Sequence, residues 1–278
     1  MAVPLYPYKA RLPAPLYWLF RGIRTVGVAF CFAGFWTCCV VMGWTYVPLL
    51  RLWPGTREQK MRRCLRTLRH GFQFFHIVMR VMRMYRATSS SQVLRPPGVA
   101  RDTPVVLVAN HPTLCDVTSI VSLYPDVVAV ARTGFADNPL LRHGLRWCGF
   151  VPTGMHVLQE CEERLRMGFD VLIFPEGTRS PVGSMHPFHR GAFELAARAK
   201  VPIVLIKLTC EPSALSKRLP IWKIADRTAV LTIEPFDIIQ PGQESAPLGD
   251  SRETCRAIEQ RYRDLLGYSS LAAVGDAR

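Results

Sequence analysis

His111 and Asp116 stand five residues apart in "VLVANHPTLCDVTS" (106–119), where an apolar, strand-like run breaks off at Asn110. An imidazole and a carboxylate suit proton transfer, and open α/β sheets place their chemistry at strand ends of this kind. Pro112 fits the first turn of a helix, where its missing N–H is no loss. The spacing therefore predicts a helix from about Pro112, with Asp116 one turn in. Inside one regular helix, two residues five apart point about 140° away from each other. With His111 on the loop before the helix, its ring can fold back onto the carboxylate. Asp116 then holds one ring nitrogen as N–H and leaves the other free to take a proton. Such a pair is a base and its orienting partner without an enzyme nucleophile, so the attacking group is a substrate hydroxyl. The alternative is a capping histidine beside an unrelated aspartate.

A second cluster, "IFPEGTRS" (173–180), also follows a strand-like run. Arg179 can grip a phosphate or another oxyanion with two parallel hydrogen bonds. Gly177 lets the backbone approach closely, and Thr178 supplies a hydrogen bond. Glu176 suits the orientation of neighbouring donors, or of an acceptor hydroxyl, better than contact with an anion. Alone, the stretch also reads as an ordinary turn with a salt bridge. No G-x-S-x-G, G-x-x-x-x-G-K-[ST] or G-x-G-x-x-G motif occurs, so a serine hydrolase, an ATPase and a Rossmann oxidoreductase lose their usual support. His186 and His189 lie three apart with no second ligand pair nearby, and no C-x-x-C exists among the nine cysteines. A metal is therefore not expected, and scattered, odd-numbered cysteines read as reduced thiols in a protein facing the cytosol.

What must position these residues is an α/β domain. Apolar, β-branched runs at 104–109, 126–131, 170–174, 201–208 and 228–236 read as strands covered on both faces. Helical patterns at 156–168, 191–200 and 251–267 alternate with them. The fold class expected is α/β, a mostly parallel sheet flanked by helices. Membrane-binding or membrane-spanning helices precede it. Between Arg24 and Arg51 lie 26 residues without a charge. As a helix (25–50) they would be roughly 39 Å long, enough to cross a hydrocarbon core of about 30 Å or to lie along one leaflet. Gly43 and Pro48 offer a bend, Trp36, Trp44, Tyr46 and Trp53 suit an interfacial belt, and a buried core helix is the bland alternative. Basic residues flank both ends, Lys9, Arg11, Arg21 and Arg24 before and Arg51, Arg57, Lys60, Arg62 and Arg63 after, so the positive-inside rule favours a cytoplasmic C-terminal side only weakly.

From Arg57 to Arg86, Met61, Leu65, Leu68, Phe72, Phe75, Met79 and Met82 draw an apolar stripe on an otherwise cationic helix. Such a helix can lie in an anionic lipid interface, or pack its stripe against the domain. The formal net charge of +14 is thus assigned to a membrane surface rather than to nucleic acid. Residues 87–98, with their serine run and Pro-Pro-Gly, read as a linker. Three regions result: a membrane segment (1–55), a basic amphipathic helix with its linker (56–99), and the α/β domain (100–278).

His-x4-Asp after a strand, followed some sixty residues later by F-P-E-G-T-R, resembles the glycerolipid acyltransferase family that includes the 1-acylglycerol-3-phosphate acyltransferases. "VAVARTGFADNPLLRHGLRWCGFVPTG" (128–154), "PFHRGAFELA" (187–196) and "VPIVLI" (201–206) are similar to that family's other blocks. The resemblance covers roughly 100–240. It implies a general base at His111, support from Asp116, and acceptor contacts at Arg132, Glu176, Gly177, Thr178 and Arg179. It further implies a membrane-bound O-acyltransferase on the cytoplasmic face, moving an acyl group from acyl-CoA or acyl carrier protein to a lysophospholipid hydroxyl. No cofactor is implied, and membrane lipids are the expected partners. Two departures stand out. Thr153 and Gly154 occupy the place of an arginine that family members using a glycerol phosphate commonly carry, and Leu205 replaces a usual proline. With "TCEPSALSKRLPIW" (209–222), which looks like acyltransferases of polyene or specialised-lipid synthesis, they keep a non-glycerophosphate acceptor open. A non-catalytic membrane-surface protein is the rival from another class.

Overall fold

The structure is a computed structural model and describes residues 12–91, 103–132, 134, 137–217, 225–240 and 251–268. Lys9 and Arg11 of the basic flank, most of the expected linker, the end of the 209–222 stretch and the tail beyond 268 lie outside the described residues.

Among the described residues, seven strands form one sheet in the order β1-β7-β6-β2-β5-β3-β4. They are β1 (Tyr85–Ser89), β2 (Val106–Ala109), β3 (Val127–Ala131), β4 (Val151–Pro152), β5 (Asp170–Ile173), β6 (Ile203–Glu211) and β7 (Ala229–Ile239). All neighbours are parallel except β6 and β7. Helices α4 (Asp116–Leu123), α5 (Arg142–Trp147), α6 (Val157–Arg166), α7 (Gly191–Ala199) and α8 (Ser251–Leu265) flank it. The central strand β2 is buried at every position, as its unbroken apolar run requires of a strand covered on both faces. The expected α/β architecture is therefore the observed one.

Ahead of the sheet, α1 (Ala14–Val41), a π-helical turn (Met42–Tyr46) and α2 (Val47–Leu52) form a continuous 39-residue helical segment. The π turn sits where Pro48 needs it. A proline ring clashes with the carbonyl four residues back and leaves it without an N–H partner, and a widened turn relieves both. The next helix, α3 (Arg57–Val81), opens with a capping box in which Thr56 and Gln59 exchange hydrogen bonds.

Three expectations are corrected. The helix expected to reach Arg86 ends at Val81, because Arg83 takes a left-handed backbone (φ 52°). Tyr85–Ser89, expected as helix end and linker, is instead an edge strand beside β7, too short and too polar to show an alternating pattern. The apolar stripe of α3 faces the core rather than lipid. Met61, Leu65, Phe72, Phe75 and Met79 are buried, and Phe75 meets Phe32 and Phe35 of α1 at ring-centroid distances of 5.7 and 4.6 Å. A separate row on the same helix, Phe74, Ile77 and Val81, is exposed instead.

The α3–α4 contact carries a titratable group. Thr118 gives its hydroxyl proton to the Cys115 carbonyl, so its oxygen accepts from His76 Nε2 at 3.1 Å, and the buried His76 Nδ1 has no partner. Burial lowers the His76 pKa to about 4. Because the folded value lies below the unfolded value of about 6.5, the neutral ring's contribution is complete above pH ~6.5 and is lost as pH falls toward 4. We expect on the order of 3 kcal/mol of stability to disappear over that window. Melting midpoints of wild type and His76→Gln check this: the variant should show a flatter dependence between these pH values.

Candidate active site

At the C-terminal end of β2, the buried Asn110 side chain clamps Leu208 of β6, donating to its carbonyl at 2.9 Å and accepting from its N–H at 2.8 Å. The amide thus extends the ladder for one rung beyond the strand. The backbone then turns out, and His111 leads a loop rather than a helix. That helix, α4, begins at Asp116 and not at Pro112, with residues 112–115 forming the turn before it. Asp116 is therefore the first helical residue and its carboxylate points back over the turn. Its Oδ2 accepts from His111 Nδ1 at 2.7 Å and from the Thr113 N–H at 2.8 Å, and its Oδ1 accepts from the Thr113 hydroxyl. Asp116 is fully buried, whereas the His111 side chain keeps 17% of its surface. With Nδ1 committed to the carboxylate, Nε2 is the nitrogen available to take a proton.

The other cluster closes on the same spot. The His111 ring stacks on Phe174 at 4.2 Å and 23°. Glu176 is 3% exposed, and three donors use its carboxylate: the His111 N–H at 3.2 Å and the Ser180 hydroxyl at 2.6 Å on Oε1, and the His186 N–H at 2.9 Å on Oε2. Ser180 N–H in turn donates to the His111 carbonyl at 2.7 Å. Glu176 is thus engaged behind the histidine and is not among the residues lining the cavity described below. It ties the loop after β2 to the long loop after β5, the orienting role its residue type also allowed. Replacing it with glutamine turns one acceptor into a donor and strands one of the three. A loss of about 1–3 kcal/mol follows, measurable as a lower denaturant midpoint for Glu176→Gln at unchanged slope.

Gly177 adopts φ +63°, and a Cβ there would come within 3.3 Å of His189. Arg179 donates to the Leu215 carbonyl at 3.0 Å, which also accepts from the Leu114 N–H at 3.0 Å. That anchors the 213–217 loop, and Lys217 Nζ donates to the Thr178 hydroxyl at 3.2 Å. Arg132, just past β3, is exposed. His111, Arg132, Gly177, Thr178, Arg179 and Lys217 all line one cavity of about 1790 Å³. Its walls are otherwise mainly apolar and come from α1, α3, α4 and α5. The lining continues out to Ile23, Val26 and Phe30 on the exposed face of α1. This exceeds a typical small-molecule pocket of about 300–1,000 Å³ and suits a long apolar ligand.

Sequence reasoning missed Phe174, Ser180 and Thr113, all within the quoted motifs but without a role until the loops meet. It also missed Lys217, for which the sequence carries no local signal. The neighbouring Cys115 is no nucleophile: it is buried, and burial first, then the Asp116 charge, push its thiol well above the ordinary range. Among the described residues no three His, Cys, Asp or Glu side chains gather as a metal site would need.

A strand-end histidine held by a carboxylate thus faces a long apolar cavity rimmed with cations, an arrangement able to take a proton from a bound hydroxyl. Residues 89–208 match the family model described as Acyltransferase. The chain is 36% identical over 114 residues to 1-acyl-sn-glycerol-3-phosphate acyltransferase BAT2, chloroplastic, of Brassica napus, covering 38% of this chain and 33% of that one. It is 31% identical over 193 residues to a 1-acyl-sn-glycerol-3-phosphate acyltransferase of Chlamydomonas reinhardtii, covering 59% and 57%. The alpha form from Mus musculus is 33% identical over 141 residues, covering 48% and 50%. The chain thus spans from a third to under six-tenths of the length of these relatives. The crystal structure of the 1-acyl-sn-glycerophosphate (LPA) acyltransferase PlsC from Thermotoga maritima shares the fold, with a TM-score of 0.67 over 92% of this chain and 100% of that one at 20% identity.

Proposed function

We propose that the chain is a membrane-bound O-acyltransferase that acylates a lysophospholipid such as 1-acylglycerol-3-phosphate, with acyl-CoA or acyl carrier protein as donor. The observation that carries this is the His111–Asp116 contact opening onto the apolar cavity beside Arg179. His111 Nε2 takes the proton of the acceptor hydroxyl as its oxygen attacks the thioester carbonyl. The tetrahedral oxyanion collapses with rupture of the C–S bond. The departing thiolate recovers the proton from the imidazolium, leaving an ester, a free thiol and a neutral histidine. No covalent acyl-enzyme is formed.

Membrane association is read as lying along the surface rather than crossing it. Arg24, near the start of α1, donates to the carbonyls of Arg83 and Ala225. Twenty residues further on, Trp44 donates to the Leu140 carbonyl at 2.9 Å, and Gly43 touches Gly144 backbone to backbone. A helix held to the α/β domain at two points about 30 Å apart lies against it. Trp18, Leu19, Ile23, Val26 and Phe30 remain exposed along the open side of the cavity, a face suited to lipid. A cytoplasmic disposition is supported by nine cysteines that are all free.

The anionic acceptor is supported by three cations at the polar end of the cavity: Arg132, Arg179 and Lys217. Arg179→Ala should raise KM for a phosphate-bearing acceptor about tenfold or more, since a charge-assisted hydrogen bond is worth about 1.5–3 kcal/mol. KM for an uncharged acceptor should stay unchanged, and steady-state kinetics on both acceptors check it. Thr153, which also lines the cavity, favours the second reading, a specialised-lipid acceptor without a glycerol phosphate. Incubating the solubilised protein with labelled acyl-CoA and a panel of lysolipids, then identifying products by mass spectrometry, decides between them. Acylated 1-acylglycerol-3-phosphate is the expected product; exclusive labelling of a lipid lacking that phosphate would replace it.

A further inference from the structure

On the far side of α5 from the active-site cavity lies a second hollow of about 240 Å³. The two share the helical segment as a wall. Leu145 and Cys148 face the large cavity, while Arg146 and Trp147 face the small one. Five cations converge on the small hollow, Arg51 from α2, Arg57 and Lys60 from α3, Arg146 from α5 and Arg164 from α6, against the single lining acid Glu160. Two of them are engaged: Arg57 pairs with Glu163, and Arg164 donates to the Gly149 carbonyl and to Glu163. Arg51 lies over the Trp147 ring at 4.9 Å. Arg51, Lys60 and Arg146 enter none of the ion pairs found among the described residues.

Like charges around so small a space repel one another, and an anion between them removes that cost. The planar fork of arginine fits the oxygens of a phosphate group. The sequence neighbours of Arg51 say what carries the phosphate. Leu49, Leu52 and Trp53, on either side of Arg51, are exposed, Leu52 by 81% and Trp53 by 67%. A small soluble anion makes no use of those side chains, but an amphiphile does, with its phosphate in the hollow and its chains along the leucines and the indole. We propose that this hollow is a binding site for the phosphate headgroup of an anionic membrane phospholipid, separate from the acceptor site and setting how the catalytic cavity meets the bilayer. The proposal rests on the membrane association argued above.

Vesicle flotation of the full chain tests it, with phosphatidylcholine vesicles and the same vesicles enriched in phosphatidylglycerol. Wild type should bind both and prefer the anionic ones. Lys60→Gln/Arg146→Gln should lose about 25-fold of that preference, at about fivefold for each basic residue near an anionic surface. Its affinity for neutral vesicles and its melting midpoint should stay unchanged. Lys200→Gln/Arg256→Gln, the same charge change on exposed residues of α8 and the end of α7, should keep the preference. The proposal is overturned if the first variant keeps it, or if both variants lose it equally, which would make the effect one of diffuse charge. Release of wild type from anionic vesicles by inorganic phosphate at matched ionic strength would reassign the hollow to a free phosphate compound. Wild type that floats with neither vesicle would overturn the membrane reading itself, a result distinct from a variant indistinguishable from wild type.

Discussion

His111→Ala is expected to lower kcat by about 10²–10⁴-fold, the contribution of a positioned general base, with the fold intact. The ring is partly exposed and makes one side-chain hydrogen bond, so its loss leaves a small gap open to the cavity rather than a buried void. What disappears is, among the described residues, the only imidazole lining the cavity. The neighbouring groups cannot stand in. Thr113 gives its hydroxyl proton to Asp116, Cys115 is held as a neutral thiol, and Thr178 accepts from Lys217. With the acceptor bound through the cations and the apolar wall as proposed, KM should change much less than kcat. Steady-state kinetics of the purified variant, with a melting curve to show that it is folded, check this; near-normal kcat would remove His111 from the chemistry.

Asp116→Asn is expected to cost about 10²–10³-fold in kcat, less than the roughly 10⁴-fold seen where the same change imposes the wrong histidine tautomer. The difference follows from Thr113. Its N–H points at Oδ2, so the new amide must turn its oxygen to that position and its nitrogen toward the Thr113 hydroxyl. His111 Nδ1–H then still finds an acceptor, and the ring keeps its orientation and tautomer. Only the negative charge that stabilises the imidazolium in the transition state is lost. A kcat effect in this range with KM within about threefold is the expected pattern. Loss of the fold, or an unchanged kcat, would reduce Asp116 to a cap for the 112–115 turn.

The fold core was legible because its signals are local. Val106–Ala109, Val127–Ala131 and Asp170–Ile173 read as buried strands since no polar side chain interrupts them, and the structure places them within a residue or two of the expected ends. Tyr85–Ser89 was not legible, because an edge strand of five largely polar residues takes its stability from β7, more than 140 positions away. The stripe on α3 showed which residues are apolar together, but a stripe has the same pattern whether it meets lipid or protein. Only the aromatic contacts with α1 decide it. At the site, the His111–Asp116 pairing followed from the break in periodicity at Asn110. The exact helix start did not, because Pro112 suits a turn as well as a first helical residue. Glu176 shows the limit of motif reading: the same carboxylate fits an acceptor contact or a loop tie, and the donors at 111, 180 and 186 that make it a tie come together only in the fold. Lys217 could not have been found, since it reaches Thr178 only because the Leu215 carbonyl is held from two sides.

The central claim is that the acyl group passes directly from the thioester to a hydroxyl that His111 deprotonates. Intact-protein mass spectrometry, after rapid mixing of the protein with acyl thioester in the absence of acceptor, tests it most directly. No acyl adduct on the protein is expected at any time, with prompt formation of acylated lipid once a lysophospholipid is added. Stoichiometric acylation of the chain that decays when acceptor arrives would contradict it.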